Sequence, residues 1–161
     1  MPASPRFAWL HGFSSSPAST KAAFAAGKLA ERGIELLRPD LNQPAFFDLT
    51  VTRMLGQVEA LGGPLALVGS SLGGYLAALF AATKPERVAS LVLLAPAFEL
   101  ASRWQERAGA AALAEWRARG FIEVDHFARG RKERLSIAFL DDAAGHPAYP
   151  LPRAPTLVIH G

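Results

Sequence analysis

The chain alternates short apolar runs with amphipathic or alanine-rich ones. Phe7 to Leu10 is an apolar run, and Lys21 to Arg32 is alanine-rich and halted by Gly33. The first predicts a strand and the second a helix with a glycine stop. Ile34-Glu35-Leu36-Leu37, closed by Arg38-Pro39-Asp40, predicts the next strand. A loop from Leu41 to Phe47 leads to Val51, Met54, Leu55, Val58 and Leu61, which recur at helical spacing. Met54 is a core residue on that pattern. Gly62-Gly63-Pro64 ends this helix, and an apolar strand runs from Pro64 to Val68. A helix-forming run follows from Tyr75 to Ala82, then a turn at Lys84-Pro85-Glu86-Arg87. Val88 to Leu94 is apolar at successive positions, as a parallel strand buried on both faces should be. Thr156 to Ile159 predicts another buried strand. Strand alternating with helix in this way predicts a doubly wound, mostly parallel α/β sheet.

Phe98 to Pro150 breaks the rhythm. Ser102 to Arg119 predicts a helix, with Trp104, Ala108, Ala112 and Trp116 spaced by four. Phe121 to Asp125 predicts a strand or hairpin, followed by the basic run Arg129-Gly130-Arg131-Lys132-Glu133-Arg134. Ser136 to Asp142 predicts a short helix. This segment, 98–150, reads as a cap-like insertion over the strand ends within a single domain, 1–161. There is no internal repeat.

Composition narrows the class. In 161 residues, 50% are hydrophobic and 19% charged, as in a globular protein with a real core. No cysteine is present, so disulfides, thiol nucleophiles and zinc–thiolate sites are excluded. That is compatible with a cytoplasmic location. The N-terminal apolar run is too short for a signal peptide or a membrane span. The net charge of +3 is spread along the chain and reads as a solvated surface rather than a nucleic-acid footprint.

Candidate chemistry centres on Gly69-Ser70-Ser71-Leu72-Gly73. It matches G-x-S-x-G between an apolar strand and a helix, the context of a nucleophile elbow. The bland reading is a chance Gly/Ser-rich turn. In an elbow, Ser71 sits on a strained turn with its hydroxyl clear of the sheet. Gly69 and Gly73 let strand and helix pass close to that turn, and Gly74 lets the helix pack tightly on the strand. The Leu72 N–H can face a developing oxyanion. A second donor is expected at Phe13, after the strand that ends in His11-Gly12. His11 resembles a base, but its expected task is to hold the loop by hydrogen bonds. Ser14, Ser15 and Ser16 lie in a turn-rich loop, and Ser19 is a candidate helix cap. Trp104 and Trp116 either line an acyl pocket or dock the cap helix. The basic run meets an anionic substrate or, more simply, forms a solvated face. His126 and His146 have no partners at metal spacing. Nucleotide binding is disfavoured: Ser71 stands where a G-x-G-x-x-G loop needs glycine, and no lysine follows Gly74.

His11-Gly12-Phe13-Ser14-Ser15-Ser16-Pro17, Gly69-Ser70-Ser71-Leu72-Gly73-Gly74-Tyr75 and Pro155-Thr156-Leu157-Val158-Ile159-His160-Gly161 occur in one order and spacing. Together they resemble the small bacterial α/β-hydrolase esterases of the YqiA/YcfP type, over the whole chain. The resemblance implies an α/β-hydrolase fold and hydrolysis of a small-molecule ester through an acyl-enzyme on Ser71. Phe13 and Leu72 form the oxyanion hole, and no cofactor or metal is required. In that family the last strand leads to a triad Asp and then a triad His, about 40 residues of further chain by usual element lengths. The sequence thus resembles an esterase stopping just before its acid and base. Two alternatives stay open: a substitute triad drawing on Glu99 with His126 or His146, and an inert remnant domain without a general base. The stop also implies that the strand at Thr156 is an edge prone to self-association.

Overall fold

A computed structural model describes residues 4–161. Five parallel strands form the central sheet. They are β1 (Arg6–Leu10), β2 (Leu36–Leu37), β3 (Leu65–Ser70), β4 (Val88–Leu94) and β7 (Thr156–Ile159), in the order β2-β1-β3-β4-β7. Between β4 and β7 the chain forms an antiparallel hairpin of β5 (Phe121–His126) and β6 (Arg131–Ser136). The helices are α1 (Thr20–Ala30), α2 (Val51–Ala60), α3 (Leu72–Thr83), α4 (Leu100–Arg119) and α5 (Ala138–Ala144).

Strand alternation sorts the two faces. Ala8, Leu10, Leu65, Leu67, Leu91 and Leu93 point into the main core with α2 and α3. Phe7, Trp9, Val68 and Leu94 point the other way, where α1 covers them with Ala22, Ala25, Ala26 and Leu29. The sheet is therefore wound on both faces. Val51, Met54 and Val58 are the buried stripe of α2, and the Thr50 side chain caps that helix by accepting from the Arg53 N–H. α3 is buried from Leu72 to Ala81, as expected of a helix that is apolar all round.

The insertion is not a separate body. Trp116, Leu135, Phe139, Leu140 and Ala143 bury into the same core as the sheet. The cap is tied down by polar contacts as well. The Tyr75 hydroxyl donates to the Pro147 carbonyl at 2.9 Å. Burial first, and the Asp142 carboxylate second, push the Tyr75 pKa up to about 12, so it remains a donor.

Four local expectations change. Ser19 precedes α1 without a side-chain cap bond. The second strand is two residues, not four. The cap helix is broken at Gly109, whose φ of 78° and ψ of 162° divide α4 into two pieces. The last strand is not buried: among the described residues β7 pairs with β4 alone, and Leu157, Val158 and Ile159 are 56%, 51% and 52% exposed.

Candidate active site

Ser71 joins β3 to α3 with φ 53° and ψ −114°. Such angles cost a side-chain-bearing residue about 1–3 kcal/mol and persist only when the surroundings over-determine them. Here they do. The Ser71 N–H donates to the Leu94 carbonyl at 2.9 Å, and its carbonyl accepts from Tyr75 at 3.1 Å and from Ala97 at 3.0 Å. The residue is exposed although Leu72 to Ala81 beyond it are buried. Three glycines make the turn possible. A Cβ on Gly69 would lie 2.2 Å from the Gly73 carbonyl oxygen, and one on Gly73 would lie 1.9 Å from that of Leu10. A Cβ on Gly74 would come within 3.1 Å of Gly69 and Pro96.

β1 lies beside β3, with Leu10 opposite Gly69, so the loop after β1 emerges next to the elbow. Gly12 to Ser15 form a tight turn, closed by the Ser15 N–H to the Gly12 carbonyl, with Ser14 at φ 57°. Among the described residues neither the Phe13 nor the Leu72 N–H donates to another protein group. Both residues line one cavity of about 480 Å³ together with Ser71.

His11 holds this loop. Its Nε2 accepts from the Leu41 N–H at 3.0 Å, so its proton sits on Nδ1, which lies 2.9 Å from the Gly12 carbonyl. Burial pushes its pKa down despite the neighbouring Asp40 carboxylate. Both ring nitrogens of a neutral imidazole are thus occupied. His146 is occupied elsewhere: its Nε2 lies 3.1 Å from the Thr52 hydroxyl and 3.6 Å from Asp142. His126 is wholly buried with its ring edge-on to Phe46, and among the described residues neither nitrogen has a hydrogen-bond partner. Burial, then Arg129, lower its pKa. Glu99 turns at φ 58° ahead of α4 and pairs with Arg103 at 3.4 Å. It does not line the cavity, and the structure brings neither His126 nor His146 to Ser71.

Of the two cap tryptophans, Trp104 lines the cavity, with Phe13 edge-on at 5.1 Å between ring centres. Trp116 is 1% exposed, stands behind Trp104 and does not reach the cavity. Among the cavity residues not evident from the sequence pattern, four carry polar side chains: Arg103, Arg107, Tyr149 and His160. His160 is the one histidine of four that lines it. The basic run forms the turn and second strand of the hairpin. Arg129 and Arg131 both pair with Glu133, at 3.1 and 2.8 Å, and Arg134 lies over the Phe121 ring. Among the described residues there is no cluster of three or more metal-ligating side chains, and no helix is long and apolar enough to cross a membrane.

A family model described as Uncharacterised protein family (UPF0227) matches residues 6–138. The putative hydrolase from Agrobacterium vitis S4 superposes with a TM-score of 0.81 at 26% identity, covering 98% of this chain and 69% of that one. Mouse alpha/beta hydrolase domain-containing protein 10 gives 0.77 at 24% identity, covering 100% and 70%. Est1E from Butyrivibrio proteoclasticus, solved with ferulic acid bound, gives 0.72 at 18% identity, covering 98% and 79%. With the family model and the parallel sheet in agreement, the chain belongs to the uncharacterised protein family UPF0227, the YqiA-like esterases, and has the α/β-hydrolase fold.

Proposed function

We propose that this chain is a serine hydrolase acting on small acyl esters, with Ser71 as nucleophile and the Phe13 and Leu72 N–H groups as oxyanion donors. The observation that carries the reading is the convergence on one cavity of an exposed, strained serine and two undonated backbone N–H groups. The Ser71 Oγ bonds to the ester carbonyl carbon while its proton passes to the departing alcohol. Water then cleaves the acyl-enzyme, releasing the acid and restoring the hydroxyl. Two backbone donors aimed at the developing oxyanion stabilise each tetrahedral stage, and loss of one such donor typically costs a hundredfold or so in rate. The acyl group lies against Phe13, Phe98, Leu100 and Trp104. The kinship with esterases supports the ester as substrate.

A fluorophosphonate probe tests the nucleophile. Labelling at Ser71, abolished in Ser71→Ala, is expected; an adduct at Ser14, Ser15, Ser16 or Ser70 would overturn the assignment. A second reading, a binding domain without turnover, is favoured by one observation. Among the described residues no histidine makes a hydrogen bond to the Ser71 hydroxyl, and a serine without a base is a weak nucleophile. Turnover of a p-nitrophenyl ester near 10 s⁻¹, a typical enzyme rate, lost in Ser71→Ala, would exclude that reading.

A further inference from the structure

We propose that the cavity beside Ser71 takes an ester that carries a second, anionic group, a carboxylate or a phosphate, seated against Arg103 and Arg107. The inference rests on the serine-hydrolase reading and adds the substrate class. Leu100, Arg103, Trp104 and Arg107 all line the cavity. Their spacing, i, i+3, i+4 and i+7, makes them one face of the first half of α4. That face would ordinarily be apolar where it looks onto a pocket. Instead two of its four positions are guanidinium groups, one turn apart.

No Asp or Glu is among the residues that line the cavity. Glu99, at its margin, partly answers Arg103 at 3.4 Å. Among the described residues Arg107 has no acidic partner. The cavity therefore carries a net positive charge, from Arg107 above all, on an otherwise largely apolar wall. A planar guanidinium suits a carboxylate or phosphate, which it can bind through two parallel N–H groups. The basic run at 129–134 makes a useful contrast. There the arginines are answered by Glu133 or stacked on Phe121, and none of them lines the Ser71 cavity. Charge count in the sequence points to that run, whereas geometry points to α4.

The test separates binding from chemistry. Ser71→Ala, which lacks the nucleophile, is titrated by calorimetry with monomethyl glutarate, 2-acetoxyethyl phosphate and neutral methyl pentanoate. The better of the two anions is expected to bind at least about tenfold more tightly than the neutral ester, as for a hydrogen bond to a charged group. Arg107→Gln in that background should remove most of the advantage, and Arg107→Glu should reverse it. Which anion binds better identifies carboxylate or phosphate as the source. In the unsubstituted chain, kcat/KM for p-nitrophenyl hemiglutarate should exceed that for p-nitrophenyl pentanoate by a similar factor. Equal binding of neutral and anionic esters, or an advantage that survives Arg107→Glu, would overturn the proposal. Turnover that survives Ser71→Ala would instead overturn the nucleophile reading, and the binding preference would stand by itself.

Discussion

Replacing Gly73 by alanine probes the elbow more directly than replacing the serine does. The new Cβ would stand 1.9 Å from the Leu10 carbonyl oxygen, 2.5 Å from its carbon and 2.8 Å from the His11 oxygen. All three are backbone atoms, so no side chain can swing aside. Ordinary contact begins near 3.4 Å, and α3 and the end of β1 must therefore separate by about 1.5 Å. Leu10 is paired with Gly69 in the sheet, so the movement strains the β1–β3 ladder. Overpacking of this kind costs about 1–3 kcal/mol, and a weakened backbone bond or two adds about 1 kcal/mol each. We expect Gly73→Ala to lose about 2–5 kcal/mol in urea-induced unfolding. The control is Gly27→Ala within α1, where a Cβ meets nothing within 4 Å. That change should gain about 0.5–1 kcal/mol from helix propensity alone. A loss below about 1 kcal/mol for Gly73→Ala, or equal effects at the two sites, would refute the steric account of the motif. In the folded fraction, ester turnover should also fall, because the Phe13 donor rides on the strand end that moves.

Ser71→Gly should abolish ester turnover yet raise unfolding stability by about 1 kcal/mol, since glycine relieves the strained turn; a destabilised variant would argue against stored strain. Burial lowers the pKa of both His11 and His126 from the ordinary 6.5. Below that pH the unfolded chain takes up protons that the folded chain refuses. Stability should thus be full above about pH 6.5 and fall as pH drops below it, by at most about 1.4 kcal/mol per unit for each histidine, and a flat urea midpoint from pH 7.5 to 5.5 would contradict this. The half-exposed β7 edge should associate with a second copy, so light scattering is expected to give a mass above the monomer that Leu157→Lys lowers; a monomer at all concentrations would count against it.

The elbow was legible because its requirements are local. Gly69, Gly73 and Gly74 each answer a clash within a few residues or across one strand pair, and a pentapeptide can record that. The parallel sheet was legible for a similar reason: strand and helix periods differ, and the chain switches between them cleanly from Phe7 to Leu94. What could not be read depends on docking. His126 looks like a loop residue in the sequence, yet the hairpin brings it against Phe46, 80 positions earlier by number. Trp104 and Trp116 share one helical spacing, but the break at Gly109 sends them to different depths. The cavity-facing role of Arg103 and Arg107 follows from which way α4 is turned, and nothing in a charge pattern encodes that. The last strand reads as buried because its residues are apolar, while its position at the sheet edge decides its exposure.

The break in α4 divides the labour of one helix between two kinds of constraint. Beyond Gly109 the helix is anchored by Trp116, its one fully buried residue there, which enters the core. Before it, Leu100 is buried and Ala101 and Trp104 pack on the same core, while Arg103 and Arg107 turn to the cavity. A glycine at φ 78° lets the two pieces keep different directions, so the front piece can line the cavity while the rear piece keeps its anchorage. For an engineer seeking other substrates, Arg103 and Arg107 are exposed cavity positions that can be exchanged at little structural risk, whereas Trp104 between them packs on Phe13, Trp116 and Phe139 and must stay.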